Sequence, residues 1–173
     1  MRLTPNQITD LISDSADARP SVLQSLYTKV QRGDLPPRAT EPQPRGGRAA
    51  IFFDLSDACT FKLLYELGRI GLTAGTPVNR AALYALTSWS PVRPQVAQYE
   101  TPIEWAVEHI RAGGDVALAI YSARQNDLTG IVAAVFDVEE PITPELPLVR
   151  IALNLGDLLL PVLRRAEALK KAH

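Results

Sequence analysis

The sequence predicts an α+β chain: a winged helix-turn-helix at the N-terminus, then a small antiparallel sheet with covering helices. Three observations predict it. Residues 22–72 read in order as a helix, a sharp glycine-proline exit, a basic glycine-rich hairpin, a short apolar strand and another helix. Residues 90–102 carry Pro91, Pro94 and Pro102 and read as a linker. Beyond them, two β-rich apolar runs at 115–122 and 130–138 flank Arg124-Gln125-Asn126-Asp127, the signature of a hairpin. The expected domains are residues 1–89 and residues 103–173, joined by 90–102.

The elements follow from local signals. Thr4-Pro5-Asn6-Gln7 starts a first helix: Thr4 caps, Pro5 sits where its missing N–H is harmless, and Gln7 completes a capping box. Ile8, Leu11 and Ile12 form its apolar stripe, and the polar stretch 13–19 ends it. Pro20 opens a second helix in which Leu23, Leu26, Tyr27 and Val30 recur at helical spacing. Residues 38–48 hold Pro42, Pro44, Gly46 and Gly47 and make a loop or wing tip, from which Ile51-Phe52-Phe53 returns as a strand. Ser56 is expected to cap a third helix with Phe61, Leu64, Tyr65 and Leu67 inward, and Thr76-Pro77 a fourth carrying Val78, Ala82, Leu86 and Trp89.

Thr101-Pro102-Ile103-Glu104 is a second capping box, and Gly113-Gly114 stops the fifth helix. A proline-rich loop at 139–147 precedes a third strand at 148–153. The last helix ends in Lys170-Lys171, and Pro161 should kink it or delay its start.

Composition narrows the function classes. With 46% hydrophobic and 21% charged residues among 173, the chain can bury a core. The formal net charge is −1, which excludes a global polycation, yet residues 29–48 hold Lys29, Arg32, Arg38, Arg45 and Arg48 against only Asp34 and Glu41. A basic patch in a neutral protein suits a specific DNA reader better than a sequence-blind coat. Met1-Arg2-Leu3-Thr4-Pro5 lacks the apolar region of a signal peptide, and no apolar run approaches the ~18 residues that span a bilayer, so a cytoplasmic, reduced location is expected.

The second helix is expected to read bases. Its outward side carries Ser21, Gln24, Ser25 and Thr28, short polar groups and an amide suited to base edges. Lys29 and Arg32 near its exit, Arg38, and the hairpin arginines Arg45 and Arg48 suit phosphates. The same residues also fit an ordinary solvated helix face and a basic loop. Arg45-Gly46-Gly47-Arg48 is no nucleotide-binding loop, because no Lys-Ser or Lys-Thr pair follows it.

Nothing in the sequence assembles an active site. Cys59 is the lone cysteine and reads as a core or half-buried thiol, and His109 as a structural or surface histidine. Asp54 and Asp57 suit a helix N-terminus better than acid–base chemistry. No enzyme activity, catalytic residue, metal or cofactor is expected. The two apolar runs predict a sheet that must be covered on both faces. The fifth and last helices can cover one face; a second subunit, the rest of the chain or a small ligand is left for the other.

Residues 3–72 resemble the MerR-like winged-helix family and its excisionase relatives. The matching features are residues 4–12 as first helix, 20–32 as recognition helix, Gly33 to Pro37 as exit turn, 45–53 as wing, and 57–72 as the following helix, ending Leu67-Gly68-Arg69-Ile70-Gly71-Leu72. The resemblance implies a homodimer bound to an inverted repeat near a promoter. Two features depart from it. Only Tyr27 stands where the family's recognition helix carries an arginine and paired tyrosines, and a proline-rich strap with an α/β segment replaces the long dimerisation helix. The expected function is therefore sequence-specific double-stranded DNA binding by a homodimeric transcriptional regulator. The alternative is a protein-interaction module, such as an antitoxin, adaptor or phage-type inhibitor, that works through the C-terminal α/β part. No residue pattern supports a small-molecule effector, and no membrane partner is expected.

Overall fold

A computed structural model of the chain describes residues 1–42, 47, 49–89, 96–125, 128–139 and 149–171, apart from the side chains of 123–125, 128, 129, 149 and 150. Residues 90–95 of the expected linker 90–102, residues 126–127 of the expected hairpin turn, and residues 140–148, which include most of the expected loop 139–147, lie outside the described residues. What is described mixes helices with two small antiparallel sheets, the α+β class. It divides into two compact units, Met1–Tyr65 with Pro161–His173, and Glu66–Leu160. No helix among the described residues is long and apolar enough to cross a membrane.

The first unit begins with α1 (Pro5–Ile12), whose capping box forms as the sequence predicts: Gln7 N donates to Thr4 Oγ1 at 3.3 Å and Thr4 N donates to Gln7 Oε1 at 2.9 Å. Ile8, Leu11 and Ile12 are buried. Helix α1 packs on α2 (Arg19–Arg32), which ends at Gly33. Gly33 has φ 76°, a left-handed conformation that closes a helix and that side chains disfavour.

Two short strands follow, β1 (Ala39–Glu41) and β2 (Ala50–Phe52), paired antiparallel with Thr40 opposite Ile51. Phe53 extends the tie by exchanging backbone hydrogen bonds with Leu3 at 2.8 and 2.9 Å. Then comes α3 (Leu55–Arg69). Its cap is Asp54 rather than Ser56: Asp57 N donates to Asp54 Oδ1 at 2.9 Å, while the Ser56 hydroxyl donates to the same oxygen at 2.6 Å. A carboxylate at the cap also meets the partial positive charge of the helix start, which a hydroxyl does less well.

Every residue of α3 from Ser56 to Leu64 is buried, Cys59 and Phe61 completely. A helix covered around its whole circumference is a central helix, not a surface one. Leu67 is buried too, and Tyr65 is half-buried. The unit is completed from the far end of the chain by the part of α6 (Leu155–Lys171) from Pro161 onward; the helix starts at Leu155, before the proline, with Asn154 Oδ1 accepting from Asp157 N at 3.2 Å. Arg165 donates through Nη1 to the carbonyls of Leu11 at 2.8 Å and Ser13 at 2.9 Å, covering acceptors that the end of α1 leaves open.

The second unit is built on β3 (Val116–Gln125), with β4 (Leu128–Asp137) and β5 (Val149–Asn154) antiparallel on its two sides. Helices α4 (Pro77–Thr87) and α5 (Pro102–Arg111) pack against β3 and β4. The sequence assigned that role to the fifth and last helices. Thr76 and Thr101 cap α4 and α5 as expected, but Trp89 lies past the end of α4, its indole N–H donating to Glu100 O at 3.0 Å. Val116 to Tyr121 are buried without alternation, so both faces of β3 are covered within one chain.

Tyr121 is 2% exposed, and its hydroxyl has no hydrogen-bond partner among the described residues. Burial pushes its phenol above the usual range. Tyr121→Phe is therefore expected to stabilise the protein by about 1–3 kcal/mol, the cost of an unpartnered buried hydroxyl. Urea melts of both proteins check this, and a variant less stable than the parent would mean that the hydroxyl has a partner.

At the far end of the sheet, His109 Nε2 lies 2.7 Å from Asp137 Oδ2 and its ring stacks on Trp105 at 5.0 Å between centroids. Gly114 makes room for it, since a Cβ there would stand 2.2 Å from Nε2. The expectation of a structural histidine matches this packing.

Candidate nucleic-acid interface

The residues expected to contact nucleic acid do not share one surface. On α2 the buried positions are Val22, Leu26 and Lys29, with Leu23, Ser25, Thr28 and Val30 half-buried. The exposed stripe is Pro20, Ser21, Gln24, Tyr27, Gln31 and Arg32. The helix is thus rotated by about one residue from the predicted inward stripe. Tyr27, assigned to the core, stands 42% exposed among the candidate contacts, and Val22 takes its place inside. Periodicity favours the stripe starting at Leu23, because the one starting at Val22 runs through Ser25 and Lys29; packing against the helix selects the less apolar of the two. The solvated choice puts the polar end of Tyr27 in water.

Lys29 is the largest correction. Expected near a phosphate, it is 6% exposed, with Nζ 3.8 Å from Asp34 Oδ2. Burial lowers its pKa from the ordinary lysine range; Asp34 opposes that shift and neighbouring Arg32 adds to it. Its ammonium is spent on the turn after α2. Arg38 is also engaged: its Nε lies 3.1 Å from Asp54 Oδ2 and 3.2 Å from Asp57 Oδ2. Burial raises the pKa of Asp57, helped by the adjacent Asp54 charge and opposed by Asp54 N–H and Arg38.

Gln24 and Arg32 keep exposed side chains. The hydroxyls of Ser21 and Thr28 donate to Ala18 O at 2.8 Å and Gln24 O at 2.9 Å, so in this state each offers a neighbour only its lone pairs. Ser25 is half-buried. Arg45 and Arg48 lie outside the described residues.

Sequence reasoning missed Tyr27, Gln31 and Arg2. The available signal for Tyr27 is its hydroxyl, which suits a solvated position, whereas its spacing with Leu23, Leu26 and Val30 points inward. Arg2 places its guanidinium 3.6 Å over the Phe52 ring and pairs with Glu41, so it braces the hairpin from outside. No sequence pattern announces that contact.

Among the described residues no group of three or more His, Cys, Asp or Glu side chains is arranged to hold a metal ion. No protein-family model matches this chain, and no curated protein matches it.

Proposed function

We propose that the chain is a sequence-specific double-stranded DNA-binding regulator of transcription, acting as a homodimer on an inverted-repeat operator, with residues up to α3 arranged as a winged helix-turn-helix. One observation carries the reading. Helix α2 turns a continuous polar and aromatic stripe to solvent while its opposite side packs on α1, and it is followed by a left-handed glycine and a two-stranded hairpin. A helix so supported can enter a major groove, with the hairpin beside the adjacent phosphates. Gln24 lies mid-stripe and carries the amide that pairs with adenine.

The homodimer rests on the two-fold symmetry that an inverted repeat demands, with half-sites about 34–36 Å apart or a multiple of that. It does not rest on the sheet, whose central strand is already covered. Sedimentation at tens of micromolar tests it directly.

Reading and anchoring are expected to separate on mutation. Gln24→Ala should weaken operator binding by about 1–3 kcal/mol and relax preference at one base position. Arg48→Ala should weaken all sequences alike and lower the salt dependence by about one phosphate's worth. Titrations on operator and scrambled duplex at several salt concentrations decide this. Folded variants with unchanged affinity would remove the reading.

The protein-interaction module is favoured by a different observation. Lys29 and Arg38 face carboxylates of their own chain, which thins the cationic surface around α2. A genome-wide binding map separates the two: sharp peaks sharing a palindrome support the regulator, whereas diffuse background with a co-purifying protein supports the module.

A further inference from the structure

The base of the hairpin is tied at several independent points. Arg38 N donates to Phe52 O at 2.8 Å, closing the ladder on the strand side. The same residue's side chain reaches 19 positions along the chain, where its Nε–H is shared between both oxygens of Asp57, at 3.3 and 3.2 Å, and Nε forms an ion pair with Asp54 Oδ2 at 3.1 Å. These two carboxylates are also the start of α3: Asp54 Oδ1 caps Asp57 N, and Asp57 Oδ2 accepts from Asp54 N at 3.0 Å. One guanidinium therefore joins the first residue of the hairpin to a reciprocal cap that sets where α3 begins. Asp57 is the buried member, its side chain 10% exposed against 45% for Arg38.

The geometry points to Arg38 as a positioning residue rather than a phosphate contact. With Asp54 and Asp57 it holds the hairpin at a set angle to the start of α3, and so sets where the hairpin meets nucleic acid. This rests on the DNA-binding reading above. The chemistry favours it because a charge-assisted bond to a buried carboxylate is stronger and more directional than a contact to a mobile surface group. Swinging Arg38 out to a phosphate would leave Asp57 buried without its cation, which is costly.

The alternatives predict opposite signs for one variant. If Arg38 neutralised a phosphate, Asp57→Asn would remove a competing negative charge, free the arginine and tighten binding. If Arg38 positions the hairpin, Asp57→Asn loosens the hairpin and weakens binding. The expected result is that Asp57→Asn and Arg38→Gln each weaken operator binding by about tenfold, the size of one lost charge-assisted hydrogen bond. The double variant should be no weaker than either single one, and the salt slope should be unchanged. Arg38→Lys should restore part of the affinity.

Asparagine can still cap α3, and thermal melts confirm that each variant is folded. Tighter binding by Asp57→Asn, or a slope lowered by about one in Arg38→Gln, would overturn the proposal. Amide exchange gives a second readout that does not depend on DNA. Both variants should lose protection at residues 39–41 and 50–53 while α2 keeps its own, and unchanged protection there would also overturn it. A parent protein that binds no duplex refutes the DNA-binding reading, and exchange then judges the tie on its own.

Discussion

A chain that stops before Pro161 is expected to lose the folded N-terminal unit, although it keeps every residue of α1, α2, the hairpin and α3. The missing piece supplies Val162, Leu163 and Ala166, at 1%, 2% and 1% exposure, and the Arg165 bonds to the end of α1. Burying a valine or leucine side chain stabilises by about 1.5–3 kcal/mol each. Hydrogen bonds from a charged group add about 1.5–3 kcal/mol. Together these approach the about 5–15 kcal/mol that holds a whole domain. Circular dichroism and amide exchange of the truncated chain check it. Arg165→Ala in the full chain is the milder version, expected to loosen the end of α1 first. A truncated chain in which the amides of Leu11, Ile12 and Leu26 stay protected would show that the N-terminal unit stands without its C-terminal helix.

Lys29→Met should destabilise by about 1–3 kcal/mol, because it leaves the buried Asp34 Oδ2 without the charge beside it. Asp34 Oδ2 is a buried atom already without a hydrogen bond, and the lysine at 3.8 Å is the nearest counter-charge described. Adding Asp34→Asn should return most of the loss, a coupling that a double-mutant cycle measures. The pH dependence has a definite sign. The folded pKa of Lys29 is depressed below 10.5, so in the window beneath that value the unfolded chain binds more protons than the folded one. Stability from this group therefore rises with pH there, and is lowest where both states are protonated. Tyr121 acts oppositely above 10.0, where the folded chain keeps a proton that the unfolded chain loses. Urea melts from neutral to alkaline pH should show that the rise vanishes in Lys29→Met. A parent and variant with parallel pH profiles would exclude a buried, depressed lysine.

These results mark how far local signals reach. The caps at Thr4, Thr76 and Thr101, the glycine stop after α2 and the hairpin of β3 with β4 were all legible, because each is decided by residues within a few positions of one another. So was the use of Asp54 and Asp57 at a helix start, though not that Asp54 rather than Ser56 is the cap.

The candidate site was legible only in part. Gln24 and Arg32 are on the surface as expected, but Tyr27 and Lys29 exchanged places across the helix. A rotation of about one residue separates the observed stripe from the more apolar one that periodicity picks, and the choice depends on what packs against the helix, which no window of α2 contains. The fates of Lys29 and Arg38 were illegible for a related reason. A cation looks the same in sequence whether it meets a phosphate or a carboxylate of its own chain.

The sequence by itself determined most element types, the caps at Thr4, Thr76 and Thr101 and the α+β class, through interactions that close within one or two turns; β1 (Ala39–Glu41), read as loop, and the Asp54 cap were not among them. Only the tertiary structure decided that α4 and α5 cover β3 and β4, that α6 returns to complete the first unit, and that Arg165 caps a helix more than 150 residues away. Those outcomes are set by burial and by the need of every buried charge and open carbonyl for a partner. Such partners are chosen in space, after the chain has closed its long loops, and leave no periodic trace along it.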